Sequence, residues 1–477
     1  MVKRKLKFKL ILYFILTLLA FPFLFFTFQY LPRAAAIKAN IVVDVAKTSG
    51  PFPDRWKALA QGGEEAGVRM FENVIPQVSE LYPSMIRIDH IYDFYDVVSR
   101  DGSGNLAFNF DKLDATVCDI YHTGAKPFFS LGYMPPTMSD DGSLVGKPKD
   151  WSEWSLLVQK TVERYSGRQT VLPCGGLYDY WKTDLYYEVW NEPDLETFGK
   201  WKYLGGKSYS DLYFYSAKGA GKAQDVFPYK LGGPVTTALY KNWIQKFLDY
   251  VNVNNLKIDF ISWHHYSKKT DDYTRDIINL NKWLAESPRY DKFENLPRII
   301  SEWGYDSEKN PIADTEVGAA HTLASIRNFI NANLEAAFLF EIKDGPTLSW
   351  GILNHDGSKK PRWYALQMLN SLSGDQVVVD GEGTFITALA SKNDEKISLI
   401  MTNYDERGSN IEAVPVVFKN LTQNKYTVTK TYLNGQKTID MNVFPVNGEI
   451  RLTEDKAVIM TPNSIINIDL TFSQNTR

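Results

Sequence analysis

The sequence predicts an α/β protein: a TIM-type (β/α)8 barrel, followed by an antiparallel β-sandwich domain and preceded by an N-terminal membrane anchor. Three observations carry that expectation. Short apolar runs alternate with amphipathic stretches about eight times between residues 37 and 372. From about Ser373 the helical patterns stop, and short β-prone runs separated by turn residues take over. Before either region, five basic residues precede a run from Leu10 to Pro32 that carries no charge.

The N-terminal run is Leu/Ile/Phe-rich through Phe28, and Lys3, Arg4, Lys5, Lys7 and Lys9 flank it. A spanning helix needs about 20 apolar residues, whereas a signal peptide's apolar region is about 7–15. The expectation is a cytoplasmic flank over residues 1–9 and an anchor over 10–32, with the remainder outside the cell membrane. Cleavage at Ala34-Ala35-Ala36 would instead release a secreted protein.

The expected barrel strands are Ile41–Val45, Ser84–Asp89, Lys126–Leu131, Leu185–Trp190, Lys230–Gly233, Ile258–His264, Arg298–Glu302 and Ala336–Glu341. Helical periodicity lies between them, at Phe71–Leu81, Phe110–His122, Trp151–Tyr165, Tyr209–Asp225, Lys241–Asn252, Asp272–Glu286, Thr315–Asn333 and Pro361–Asn370. A doubly wound open sheet would favour a glycine-rich phosphate turn after its first strand, and Asp44-Val45-Ala46-Lys47 offers none. Residues 373–477 read as the β-sandwich, with Lys392-Asn393-Asp394, Asn434-Gly435 and Asn447-Gly448 as turns, in a supporting role.

The chain has 477 residues, room for one large domain and a smaller one, and its formal charge of −3 gives no reason to expect nucleic acid. Aromatic residues make up 14% of the chain, which suits sugar stacking but equally suits a large barrel core. The two cysteines, Cys118 and Cys174, are read as free thiols, since two cysteines do not establish a pairing. No Cys/His cluster suggests a metal, and no cofactor is expected. The oligomeric state is left open.

Polar residues gather where barrel strands end, the rim at which such barrels place their sites. They are Arg87 and Asp89, Asn191 and Glu192, His264 and Tyr266, Glu302, and Glu341 and Lys343. Glu192 closes the run Leu185-Tyr186-Tyr187-Glu188-Val189-Trp190-Asn191 just before Pro193, and Glu302 sits in Arg298-Ile299-Ile300-Ser301-Glu302-Trp303. Two carboxylates on strand tips are the minimum equipment for cleaving a glycosidic bond. One must hold a proton for the leaving oxygen, which the apolar setting of Trp190 and Pro193 and a neighbouring carboxylate favour at Glu192. The other must stay ionised; Arg87 serves as its counter-charge and Tyr266 as a hydrogen-bond donor to Glu302. Asn191 is placed to bond the 2-hydroxyl. Glu188 is expected to pair with a base such as Arg87, while His90 and His265 are read as packing residues. Trp350 is a candidate stacking platform. Lys343 and Asp344 either address a charged sugar or pair with each other.

Trp190-Asn191-Glu192-Pro193 with Ser301-Glu302-Trp303 resembles the barrel clan of retaining glycosidases, and within it glycoside hydrolase family 39, the xylosidase and iduronidase family. Leu131-Gly132-Tyr133-Met134-Pro135, Ser262-Trp263-His264-His265-Tyr266 and Lys360-Pro361-Arg362-Trp363-Tyr364-Ala365-Leu366 resemble further motifs of that family. The resemblance spans roughly Ile41 to Leu372. It implies Glu192 as acid/base, Glu302 as nucleophile, and Asn191, His264 and Tyr266 lining the sugar subsite. Arg87-Ile88-Asp89-His90 departs from the family's Arg-x-His, placing Asp89 at a position that commonly touches the sugar. The expected function is hydrolysis of an extracellular oligo- or polysaccharide. The alternatives are a membrane-held transglycosylase or polysaccharide-processing partner, and a non-catalytic glycan-binding protein.

Overall fold

The structure, a computed structural model, describes residues 36–62, 65, 68–174, 184–347 and 350–472. The expected anchor at residues 10–32 lies outside the described residues. Among those residues no helix is long and apolar enough to cross a membrane.

Eight parallel strands close into a barrel. In barrel order they are Ala58–Gln61, Met85–Ile88, Lys126–Leu131, Leu185–Val189, Tyr229–Thr236, Phe260–Tyr266, Arg298–Gly304 and Ala336–Phe340. Seven were anticipated in place; the first was not. Ile41–Pro51 is instead a strand of the second domain, paired antiparallel with Asp375–Asp380 and parallel with Val416–Lys419. The reason is burial. Barrel strands are covered on both faces, as all four residues of Ala58–Gln61 are, whereas Ile41–Val45 alternates buried and half-buried positions, the pattern of a strand with one covered face. The second domain thus takes strands from both ends of the chain. Its nine-stranded sheet runs Lys437–Val443, Tyr426–Tyr432, Ile465–Thr471, Lys396–Asn403, Ile386–Lys392, Asp375–Asp380, Ile41–Pro51, Val416–Lys419, Ile450–Leu452.

Helices pack around the barrel where the periodicity places them, with local chemistry trimming their ends. Asp150 caps Trp151–Ser166 by accepting from the Ser152 amide, and Ser208 caps Tyr209–Ala220 through the Asp211 amide. The latter helix stops at Gly221, short of the expected Asp225. Near Phe71 only Ile75–Ser79 is helical, with Pro76 in its first turn, where the ring fits and the missing N–H is not needed.

Inside the barrel, Phe128, Phe260 and Phe338 fill the end away from the site, with Phe128 and Phe338 ring centroids 4.7 Å apart. The second domain is tied to the barrel by Arg327, which pairs with Glu382, and by the Tyr404 hydroxyl, which donates to the Lys268 carbonyl at 2.7 Å.

Cys118 and Cys174 form a disulfide, contrary to the expectation of free thiols. The link joins the helix Asp111–His122 to the loop after Trp151–Ser166 and brings the Cα atoms to 5.5 Å, a proximity created by barrel closure and invisible in a sequence separation of 56. Cross-linking a loop of that length restricts the unfolded chain, so Cys118→Ala with Cys174→Ala is expected to lower unfolding stability by about 2–4 kcal/mol, read from denaturant midpoints.

Candidate active site

Arg87 organises the site. It sits on the second barrel strand with its side chain inside the barrel, and its three nitrogens each hold a different partner. Nε donates to Glu188 at 2.8 Å, Nη1 to Glu302 at 2.7 Å and Nη2 to the Asn191 side-chain oxygen at 2.8 Å. Glu188 lies two residues beyond Tyr186 and so shares its inward face. Burial opposes the guanidinium's charge, but Glu188, Glu302 and Asp89 outweigh it and hold Arg87 above its ordinary range. The predicted counter-charge and the predicted Glu188 partner are therefore one residue.

Glu302 accepts on both oxygens, from Arg87 and, at 2.8 Å, from the Tyr266 hydroxyl. Burial and the nearby carboxylates keep the Tyr266 phenol well above its usual range, so it remains a donor. Burial also raises the Glu302 carboxyl above its ordinary value, with His264 and Arg87 pulling it back and Glu192 and Asp89 adding to the rise.

Glu192 stands on the turn after the fourth strand. Trp190 and Glu192 both adopt left-handed backbone (φ 75° and 42°), a costly conformation for residues with side chains. The turn is held by the Ser130 hydroxyl donating to the Trp190 carbonyl at 2.7 Å, by the Trp190 indole donating to the Phe198 carbonyl at 2.9 Å, and by the Glu192 amide donating to the Val235 carbonyl at 3.1 Å.

His264 is fully buried between the two carboxylates, its Nδ1 at 2.9 Å from Glu192 and 3.4 Å from Glu302. Burial disfavours its charge, yet the two carboxylates win and raise it. One oxygen of Glu192, one oxygen of Glu302 and a His264 nitrogen all lie within 4.8 Å of one another, a spacing that would also admit a cation. Both Glu302 oxygens are already engaged and the Arg87 charge repels a metal, so the donor set suits proton transfer better.

A cavity of about 650 Å³ opens above this cluster. Asp89, Asn191, Glu192, Tyr266, Glu302 and Trp350 line it. Arg87 and His264 lie beneath, acting on the carboxylates rather than on the cavity. Lys343 does not line it: its Nζ donates to Asn73 at 3.1 Å, and Asp344 pairs with Lys360 at 2.6 Å, so the two do not pair with each other. Asn191 is committed on both sides, to Arg87 and, through its amide, to the Tyr133 hydroxyl at 2.8 Å.

His90, which strand alternation would turn into the packing, lines the cavity. The strand ends at Ile88 and His90 has φ 53°, so strand alternation no longer governs its direction. Its Nδ1 meets Asp93 at 2.7 Å, and its ring stacks on Phe94 at 4.1 Å. His265, by contrast, packs against Asp276 at 2.5 Å as expected. Leu195, Thr197, Phe198, Thr237, Tyr240, Ser307 and Glu308 also line it, from loops that carry no periodic signal.

Arg87→Met would leave Glu188 and Glu302 buried without their cation. It is expected to cost about 3–5 kcal/mol of unfolding stability. It also removes an influence that lowers Glu302, so on acidification an activity that needs ionised Glu302 begins to fall at a higher pH than in the wild type. The acidic limb of kcat/KM is expected to lie at higher pH in the variant than in the wild type.

The sequence matches the family model for glycosyl hydrolases family 39 over residues 39–440. It is 27% identical over 366 residues to a beta-xylosidase of Caldicellulosiruptor saccharolyticus, covering 69% of this chain and 71% of that one. A beta-xylosidase of Geobacillus stearothermophilus is 25% identical over 408 residues, covering 78% and 77%. Among solved structures, the GH39 beta-xylosidase of Caulobacter crescentus shares the fold, with a TM-score of 0.70 over 91% of this chain and 99% of that one at 20% identity. The barrel, the paired strand-tip carboxylates and this match over most of the chain place the protein in glycosyl hydrolases family 39, as a glycosidase.

Proposed function

We propose that the chain is a retaining glycosidase acting on a neutral, xylose-like sugar outside the cell. The observation that carries the mechanism is the closeness of Glu192 and Glu302, one oxygen of each lying within 4.8 Å of the other. Retaining enzymes hold their carboxyl groups about 5–5.5 Å apart, whereas inverting ones need about 6.5–9.5 Å for an intervening water. In this reading Glu302 attacks the anomeric carbon while Glu192 gives its proton to the departing oxygen. Glu192 then takes a proton from the water that releases the sugar from Glu302. Arg87 and Tyr266 keep Glu302 ionised and aimed, and His264, with Nδ1 at 2.9 Å from Glu192 and 3.4 Å from Glu302, holds the two carboxylates in place.

Charge supports the sugar class. The described residues lining the cavity include four carboxylates, Asp89, Glu192, Glu302 and Glu308, and neither lysine nor arginine. An anionic glycone such as an iduronide would meet repulsion there, while a neutral sugar would find hydrogen-bond acceptors. The beta-xylosidase relatives agree with that choice. The Cys118–Cys174 disulfide suits an oxidising compartment, and with the charge-free N-terminal run it supports an exported, membrane-held enzyme.

The test is a panel of aryl β-xyloside, β-glucoside and α-iduronide, with product configuration followed by proton NMR. We expect turnover of the xyloside, no turnover of the iduronide, and first-formed product with retained configuration. Inverted product would contradict the mechanism, and preference for the iduronide would contradict the sugar class.

A further inference from the structure

We propose that one face of the second domain, the outer side of the two-stranded ribbon Glu412–Val414 and Val458–Met460, rests on the lipid surface of the membrane that holds the enzyme, with Ile411 and Ile459 seated among the lipids. The proposal rests on the membrane-held reading above and adds to it the surface that meets the bilayer. In this ribbon Ala413 stands directly opposite Ile459, so the two share a side, and Ile411, two residues before Ala413, joins them. The other side carries Glu412, Val414, Val458 and Met460, all buried. A ribbon covered on one side ordinarily turns polar groups to water on the other. Here that side is aliphatic: Ile411 is 69% exposed and Ile459 52%.

The path of the chain says what covers this face. The charge-free run expected in the membrane ends at Pro32, and Ala36 follows it by four positions. Four residues span at most about 14 Å. Ile37, 70% exposed, stands where the chain enters the domain. Two residues on, the Ala39 amide donates to the Glu412 carboxylate at 2.5 Å, and the Ile41 amide donates to the Pro415 carbonyl at 2.9 Å. The entering chain is therefore bonded along the ribbon, and a bilayer that holds the run lies within a few residues' reach of Ile411. Ile439 and Met441 are also exposed, but their strand Lys437–Val443 is separated from Ile41–Pro51 by five intervening strands of the large sheet.

Seating the ribbon also sets the height of the catalytic cavity. The Tyr404 hydroxyl reaches the Lys268 carbonyl, and Lys268 follows Tyr266 of the cavity by two positions. Tyr404 precedes Ile411 by seven positions. Seven residues span at most about 25 Å. The loop between them is held in shape by the Asp405 carboxylate, which accepts from the amides of Arg407 at 3.0 Å, Ser409 at 2.9 Å and Asn410 at 3.0 Å. A ribbon resting on lipid thus keeps the cavity rim close to the membrane, where it meets glycan near the surface. Ile411, Ala413 and Ile459 carry no charge, so the contact draws on apolar burial and needs no anionic lipid.

The test uses the full chain in phosphatidylcholine vesicles. Cys118 and Cys174 are bonded to each other, so Ile411→Cys, Ile459→Cys and, as a reference, Val253→Cys each offer a single thiol for an environment-sensitive fluorophore. Val253 is exposed at the end of the barrel helix Lys241–Val253. The vesicles carry nitroxides near the head-group end of the acyl chains. Apolar groups at a membrane surface sit roughly 5–10 Å into the head-group and acyl boundary, so the Ile411→Cys and Ile459→Cys labels are expected to lose more than about half their emission and the Val253→Cys label less than about a tenth. Equal quenching in all three variants, or none in the first two while the protein floats with the vesicles, would overturn the face and leave the membrane-held reading standing. Blue-shifted emission without quenching would mean that protein covers the ribbon, which also overturns the face. Protein that does not float with the vesicles would overturn both.

Discussion

Glu302→Gln is expected to lower kcat for an aryl β-xyloside by roughly 10,000-fold or more, the scale on which enzymes lose turnover when a nucleophile is removed. The substitution keeps the side chain's shape, so packing against His264 and Tyr266 survives and the loss reports chemistry. An amide cannot form the glycosyl intermediate, and it leaves Arg87 facing one buried carboxylate, Glu188, where it had two. Folding should be checked alongside by thermal unfolding. A variant that folds and keeps wild-type turnover would remove Glu302 from the nucleophile's role.

Glu192→Gln is expected to depend on the leaving group. For xylobiose or an alkyl xyloside, departure requires a proton, and loss of the acid should cost about 100- to 10,000-fold in kcat/KM. For a 2,4-dinitrophenyl xyloside, whose phenolate leaves without help, glycosylation of Glu302 should proceed far closer to the wild-type rate. Hydrolysis of the intermediate then becomes limiting, because the same residue must activate water. The expected signature is a low kcat with a lowered KM and a rapid initial burst of phenolate. A uniform loss across both leaving groups would assign the proton to another residue. His264 is the nearest candidate, at 2.9 Å from Glu192.

Both experiments address residues that the sequence marks plainly, and the reason is geometric. A barrel strand is covered on both faces, so its interior must be apolar, and a charged residue at its tip stands out against that run. Glu192 after Leu185–Val189 and Glu302 within Arg298–Gly304 are legible for that reason, as are Arg87 and Tyr266. The pairing of Arg87 with Glu188 could be anticipated because strand alternation puts both inside the barrel.

Elsewhere alternation stops giving information. His90 lies past the end of its strand with φ 53°, and faces the cavity when alternation would turn it away. The resemblance puts His264 against the sugar, but it fills the space between Glu302 on the adjoining seventh strand and Glu192, which reaches across from the turn after the fourth. Lys343 follows the eighth strand and looks like a rim cation, yet the chain turns it to Asn73. Phe198 and Tyr240 come from loops whose paths depend on ties such as Asp194 to Thr237. The first barrel strand is not legible because Ala58–Gln61 is too short and too plain to compete with Ile41–Val45, which belongs to the other sheet. The disulfide and the role of residues 41–51 share a cause: each depends on contacts between segments far apart in sequence.

Covalent trapping tests the central claim most directly. A 2-deoxy-2-fluoro-β-xyloside with a dinitrophenolate leaving group slows both steps of double displacement while its good leaving group still permits the first. Incubation followed by peptic digestion and mass spectrometry should find one fluoroxylosyl group, on the peptide containing Ile300-Ser301-Glu302-Trp303, with fragmentation placing it on Glu302. A label on any other residue, or an enzyme that turns over xylosides with inversion and acquires no label, would contradict the account.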